Sequence, residues 1–279
     1  MSAVLLDGKK LSEQILKSLA PRAQTLRAER GRPVKLAVVA GDGAAASSYL
    51  KSLAKAAAGV GIEAPVLSVG AAGLAAAVAG AGRDLGVDAV LIDHPNASSA
   101  ASALPAGKDV EGLTPEQYGR LFLIKYYEEL ASSRVIAPCT ALAVAELLRS
   151  SNVPLTGKRA VVIGRSAILG RPAAHLLSAL DLTVTLCHGK TADLASEVSR
   201  ADVVVACIGK PGFIRAAWIK PGALVIDAGI NMVAGKLKGD VEAAAKERAG
   251  CITPVPGGVG PVTTALLLAN ALTLAERAR

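Results

Sequence analysis

The chain has 279 residues, 52% of them hydrophobic and 19% charged, with a net charge of +8. That length suits two modest domains, each able to bury a core, and the composition is that of a globular α/β protein. The positive charge fits a plain basic surface or an anionic partner such as a nucleotide or a polyglutamylated substrate. With 3% aromatics and no Lys/Arg-rich run, it does not point to nucleic acid.

Leu11, Ile15, Leu19 and Leu26 recur at helical spacing and predict a helix over residues 10–29. A strand over 35–40 follows, then the turn Gly41-Asp42-Gly43. Next comes a helix capped by Ser47 or Ser48 that runs to Ala58 and is closed by Gly59 and Gly61. Strands over 65–69 and 88–92 bracket an alanine-rich helix over 71–85. This alternation implies a mostly parallel sheet. Residues 120–134, with Tyr126, Tyr127, Glu128 and Glu129, read as a helix or an ordered insertion. Pro138-Cys139-Thr140 opens a helix over 141–148, and the domain boundary is set there. From Gly157 the pattern restarts as βαβ: strand 160–163, helix 171–180, strand 183–187, then strands 203–208 and 224–227. The final helix, 262–278, is apolar on more than one face and is expected to pack back across both domains. The expectation is an α/β chain of two domains, 1–140 and 141–261, with 262–279 returning to the first.

Cys139, Cys187, Cys207 and Cys251 lie far apart, and His94, His175 and His188 make no metal-ligand spacing with them. The cysteines read as buried small hydrophobes in a reducing compartment, and no metal is expected. The apolar run after Met1 is too short for a signal peptide, and no uninterrupted span is read as a membrane helix. A cytoplasmic protein with no membrane partner is expected.

Val161-Val162-Ile163-Gly164-Arg165-Ser166-Ala167-Ile168-Leu169-Gly170-Arg171-Pro172 reads as a strand, a glycine turn and a helix start. Such a unit aims main-chain N–H groups and a helix dipole at one point, which suits a pyrophosphate. A purely structural turn fits the same pattern, because this is not G-x-G-x-x-G. NAD-selective sites place an acid after the second strand, to hold the ribose. Here that stretch is Cys187-His188-Gly189-Lys190-Thr191, with no acid. Arg165 and Lys190 are suited to a 2′-phosphate, which favours NADP over NAD. Ile208-Gly209-Lys210-Pro211 and Asp227-Ala228-Gly229-Ile230-Asn231 supply further strand-end turns on the cofactor side. Pro254-Val255-Pro256-Gly257-Gly258-Val259-Gly260-Pro261 is a rigid loop that exposes backbone or connects domains.

These segments, with Asp7-Gly8-Lys9 and Lys108-Asp109-Val110-Glu111-Gly112, closely resemble the methylenetetrahydrofolate dehydrogenase/cyclohydrolase (FolD) family over nearly the whole chain. The resemblance implies an N-terminal three-layer α/β folate-binding catalytic domain and a C-terminal Rossmann-type NAD(P)-binding domain. It also implies tetrahydrofolate as one-carbon carrier in a cleft between the domains, and a homodimer. It carries the cofactor role to Gly164, Arg165, Ser166, Ile168, Gly170, His188, Gly189, Lys190, Thr191, Ile208, Gly209 and Ile230. The folate role falls to Tyr49, Asp93, Pro95, Glu111, Pro256, Gly257, Gly258 and Pro261. The family's folate helix carries Tyr-x-x-x-Lys; Tyr49 matches the tyrosine, but Leu53 stands at the catalytic lysine. The two share a helix face, whereas Lys51 and Lys55 lie about 200° round from Leu53. The family's Val-Gln-Leu-Pro is Ile92-Asp93-His94-Pro95, and the second aspartate of its Asp-Val-Asp-Gly is Glu111. Pro-Cys-Thr-Pro is Pro138-Cys139-Thr140-Ala141, and Gly189 replaces a serine near the 2′-phosphate, which weakens the preference for NADP.

Three readings follow for the candidate catalytic group Tyr49, Leu53, Asp93 and Glu111. Leucine carries no proton, so cyclohydrolysis is expected to be lost while hydride transfer, which needs alignment, persists. Alternatively, Asp93 and Glu111 serve as acid and base for transferring the methylene carbon to a third, nucleophilic substrate, with Tyr118, Tyr126 and Tyr127 either shaping its pocket or standing on the surface. A decayed paralogue acting as a dimer partner is the remaining reading.

Overall fold

The structure is a computed structural model that describes residues 3–42, 47–93 and 97–278. The chain forms two compact units. The N-terminal unit gathers Ser12–Leu123, Val135–Cys139 and Thr264–Arg279; the C-terminal unit gathers Met1–Leu11, Ile124–Arg134 and Thr140–Thr263. The strands are β1 (Val4–Leu5), β2 (Val34–Gly41), β3 (Ile62–Glu63), β4 (Val66–Val69), β5 (Ala89–Asp93), β6 (Arg159–Ile163), β7 (Thr183–Cys187), β8 (Val203–Ala206), β9 (Leu224–Asp227), β10 (Asn231–Val233), β11 (Lys236–Lys238) and β12 (Cys251–Ile252).

In the N-terminal unit β2 is central. It pairs in parallel with β3, β4 and β5, with Val39 opposite Ile92 and Ala40 opposite Asp93. Pro65, which lacks an N–H, falls in the break between β3 and β4. Side chains alternate across the sheet. Leu36, Val38, Ala40 and Leu91 join one apolar cluster with helices Gly8–Arg30, Ser48–Val60 and the end of Val259–Arg277. Val39, Val90 and Ile92 join another with Leu74 and Val78 of helix Leu74–Arg83. Both faces are covered, which is why these strands read as near-continuous apolar runs. Helix Ser48–Val60 begins where Ser47 accepts the Leu50 N–H at 3.2 Å and ends at Gly61, φ +82°.

In the C-terminal unit six parallel strands run in the order β1-β12-β9-β8-β6-β7. The chain leaves β6 through helix Gly170–Ala179 to β7 on one side and later returns to β8 on the other. The strand order therefore reverses beside β6, and such a reversal opens a crevice at the carboxyl ends of the strands.

Two expectations change, and one open reading is decided. Residues 120–134 form the ordered insertion and not a continuous helix: Pro115–Leu121 and Glu129–Ser132 are short helices separated by turns. The Tyr127 hydroxyl donates to Glu146 at 2.6 Å, which ties this segment to helix Cys139–Arg149. Residues 4–5, expected in the N-terminal domain, pair with β12 of the C-terminal unit. The helix Val259–Arg277 is long and apolar enough to cross a membrane by length and composition, contrary to the sequence reading. Its apolarity is explained by burial of Leu267, Leu268, Leu272 and Leu274 in the N-terminal unit's core.

Candidate functional site

At the end of β6, Gly164 has φ +125°, and a Cβ there would meet the carbonyl oxygen and thiol of Cys207. A Cβ on Gly170 would meet the Gly164 carbonyl. The turn is wound too tightly for side chains at these points, so main chain faces outward. Ser166 Oγ accepts from the N–H groups of Leu169 at 3.2 Å and Gly170 at 3.4 Å. Among the described residues no protein acceptor meets the N–H groups of Arg165, Ser166, Ala167 and Ile168. Unpaired donors ahead of the 10-residue helix Gly170–Ala179, at the strand-order reversal, are the parts of an anion site and fit the pyrophosphate of NAD(P).

Beyond β7 the turn 188–191 is closed on itself. The His188 N–H donates to Thr191 Oγ1 at 2.9 Å, and the Lys190 N–H donates to His188 Nδ1 at 3.2 Å. Gly189 and Lys190 are exposed, as are Arg165 and Ser166 on the neighbouring turn. The third turn, Ile208-Gly209-Lys210, follows β8, while Ile230 is 72% exposed beside the hairpin of β10 and β11. Pro256, Gly257, Gly258 and Pro261 line a pocket of about 250 Å³ with Lys9 and residues 227–230. Asp227, in that wall, is pushed up to about 6 by burial, against the N–H groups of Val241, Asp240 and Gly229 that favour its charged form.

The N-terminal unit holds a second constellation. Tyr49 and Leu53 lie on helix Ser48–Val60; Tyr49 is 37% exposed, Leu53 only 1%. Leu53 packs in the apolar cluster with Leu50, Val110 and Cys139 rather than standing on an open wall. Asp93 ends β5, half-buried. Pro95 lies outside the described residues. Glu111 is half-buried and its carboxyl is pushed up to about 8, by desolvation first and then by Asp109 and Asp93. Desolvation also raises the Tyr49 phenol, reinforced by Glu111, Cys139 and Asp93. Tyr49, Asp93 and Glu111 thus share one electrostatic neighbourhood. Asp109 builds the loop that carries Glu111, accepting the N–H groups of Glu111 at 3.2 Å and Thr114 at 2.6 Å. Gly112, at φ +65°, could not carry a Cβ without meeting the Ile136 carbonyl. The Asn270 amide donates to the Val110 carbonyl at 3.0 Å and to Cys139 Sγ at 3.3 Å, which fixes the residue before Glu111.

A family profile described as the catalytic domain of tetrahydrofolate dehydrogenase/cyclohydrolase matches residues 6–111, and the family's NAD(P)-binding domain matches 138–279. The chain belongs to the tetrahydrofolate dehydrogenase/cyclohydrolase family. It is 42% identical to bifunctional protein FolD 1 of Salinispora arenicola, an alignment covering 99% of each chain. Among solved structures, it is similar to the Trypanosoma brucei FolD complexed with NADP and an inhibitor, with a TM-score of 0.90 at 36% identity, covering 100% of this chain and 99% of that one. The Campylobacter jejuni FolD matches with a TM-score of 0.90 at 34% identity over 100% of both chains. These matches establish the two-domain α/β fold with a Rossmann-like NAD(P)-binding domain.

Sequence reasoning passed over Asn270 and Asp240. Each acts by hydrogen bonds made after folding: Asn270 reaches the Val110 carbonyl across 160 positions, and Asp240 reaches Ile208 across 32. No local spacing signals either one.

Proposed function

We propose that this chain oxidises 5,10-methylenetetrahydrofolate to the methenyl form, with NADP as hydride acceptor and NAD as the alternative. Its cyclohydrolase activity is lost or severely impaired. The observation that carries the reading is Leu53. The residue at the position that the resemblance gives to the catalytic lysine is an alkyl group in the core, 1% exposed. Hydride loss from the methylene carbon leaves a cation shared by the two folate nitrogens. That step asks for alignment and for a site that accepts positive charge. Asp93 suits the second demand with no proton carrier at position 53, and Glu111 adds to it in its ionised form. Bound NADP would supply the acceptor carbon. The chain's part is to hold it at the N–H groups of 165–168, with Arg165 and Lys190 to meet a 2′-phosphate. Tyr49, Asp93 and Glu111 hold the folate; Pro95, Pro256, Gly257, Gly258 and Pro261 are the further folate residues that the resemblance gives. Cyclohydrolysis instead adds water to the methenyl carbon. A proton must leave that water and another must reach the departing nitrogen. Leu53 can move neither, and Lys51 and Lys55 are exposed elsewhere on the helix.

Glu111 favours one second reading. A carboxyl pushed up to about 8 changes charge near neutrality. It can give a proton to open the methylene bridge and take one from an attacking nucleophile, so the carbon would pass to a third substrate.

An anaerobic assay with methylenetetrahydrofolate and NADP or NAD, following reduced cofactor and methenyl product separately, tests both. Reduced cofactor with accumulating methenyl product is expected. Tight folate binding without turnover would transfer the assignment to the second reading, and neither binding nor turnover would leave a non-catalytic dimer partner. The same family reading carries a cytoplasmic homodimer, which sedimentation of the purified chain and cell fractionation check.

A further inference from the structure

Asp240 faces the turn after β8, and what it holds there matters if the nucleotide reading above is right. It is fully buried, at 0% exposure, and its carboxylate accepts four hydrogen bonds. Oδ2 takes the N–H groups of Ile208 at 2.7 Å and Gly209 at 3.0 Å. Oδ1 takes the Lys210 N–H at 2.8 Å and the Asn231 amide at 2.9 Å. Gly209 is left-handed, φ +67°. Successive N–H groups around such a residue turn to one side and form a concave anion nest. A nest of this kind can take a ligand phosphate; here the chain's own carboxylate fills it.

Asp240 is itself held in place. Its N–H donates to Asp227 Oδ1 at 2.8 Å, and its carbonyl accepts the Ile214 N–H at 3.0 Å. Asp227 also accepts from Gly229 at 3.0 Å and Val241 at 2.9 Å. A Cβ on Gly229 would strike the Asp240 carboxylate, and one on Gly239 would strike that of Asp227. Two buried carboxylates thus frame the ends of β8 and β9 and tie the hairpin of β10 and β11 to them. Such buried charge is a poor source of stability compared with apolar packing, but it fixes the direction of every donor it satisfies.

The turn held this way bears on the phosphate turn directly. Cys207 immediately precedes it and is the residue against which Gly164 packs; its N–H donates to the Ile163 carbonyl at 2.9 Å. We infer that Asp240 is a positioning residue for the nucleotide. By fixing turn 208–210 it sets the wall on which the Gly164 turn closes, without touching the nucleotide itself.

Asp240→Asn and Asn231→Ala in the full chain test this, with NADP affinity by calorimetric titration, steady-state rates and thermal unfolding measured on the same samples. The asparagine keeps the shape but sets an NH2 group against N–H donors, so the Kd and KM for NADP should rise about tenfold or more. The folate KM, and kcat at saturating NADP, should stay within about threefold of the parent, since neither depends on this turn. Asn231→Ala removes one of the four bonds to the carboxylate and a second bond to the Lys238 carbonyl, so NADP affinity should fall about threefold with at most a small drop in unfolding temperature. This second variant carries the test if Asp240→Asn does not fold. Variants that bind NADP as tightly as the parent, with only a lower unfolding temperature, would overturn the inference and leave Asp240 a stability element. A parent chain that binds neither NADP nor NAD would show instead that the nucleotide reading had failed, and the inference with it.

Discussion

Glu111 shares its surroundings with two other carboxylates, Asp109 and Asp93, and burial pushes it up to about 8. Its folded-state pKa lies above that of the unfolded chain, so the folded state binds the extra proton. The resulting stability is fully present below the usual carboxylate range and is lost as pH rises through about 8. Glu111→Gln removes that dependence. The variant should gain in unfolding temperature relative to the parent as pH is raised from 5 to 9, and a parallel pair of thermal melts checks it. A parent that holds its stability across that range would show that Glu111 stays ionised. Leu53 makes the complementary case. Leu53→Lys places an ammonium group where the surroundings are apolar. It should cost about 1–3 kcal/mol unless the amine reaches Asp93 or Glu111. If the pocket is otherwise family-like, methenyltetrahydrofolate hydrolysis should appear in this variant; folded protein without hydrolysis would mean that the carboxylates have remade the site.

Among the elements, the glycine turn between β6 and helix Gly170–Ala179 was legible because its demand is local. Gly164 needs φ +125°, and Gly170 must let the chain fold back onto the Gly164 carbonyl. Gly170→Ala should force the turn open, at about 1–3 kcal/mol, while the anion site loses its geometry. Titration should show NADP binding weakened at least about tenfold, with folate binding to the same sample unchanged. Equal losses of both would mean general unfolding. Helix Ser48–Val60 was legible for a related reason: Ser47 caps it, and Leu50, Leu53, Ala57 and Val60 mark its buried stripe. The pair of short helices at Pro115–Leu121 and Glu129–Ser132 was not, because polar and aromatic residues there carry no clear period and the Tyr127–Glu146 bond decides the path. The two- and three-residue strands β1, β12, β10 and β11 were missed as well. Strands this short exist only because a partner strand is presented to them.

For the molecule as a whole, each unit is assembled from separated stretches of chain. The N-terminal unit takes Leu267, Leu268, Leu272 and Leu274 from the last helix into its core. Arg22 clips the same helix through Glu276, at 3.0 and 2.9 Å, and Thr273, at 3.1 Å. The exposed ion pair contributes little; the buried leucines dominate. A chain ended after Thr263 should therefore lose the cooperative unfolding of the N-terminal unit and become open to limited proteolysis within 12–123, which mass spectrometry of the fragments would detect. An intact N-terminal fragment would show that the unit folds without its last helix.

The sequence by itself determined the two-part α/β alternation, the glycine turn, the missing acid after β7 and the leucine at position 53. All of these express needs of adjacent backbone or a plain residue identity. Only the tertiary structure decided that Leu53 is core, that Asn270 holds the residue before Glu111, and that Asp240 fills the nest at 208–210. Those outcomes depend on which distant groups meet once water is excluded. Desolvation and hydrogen bonding act across space, whereas periodicity and turn chemistry act along the chain.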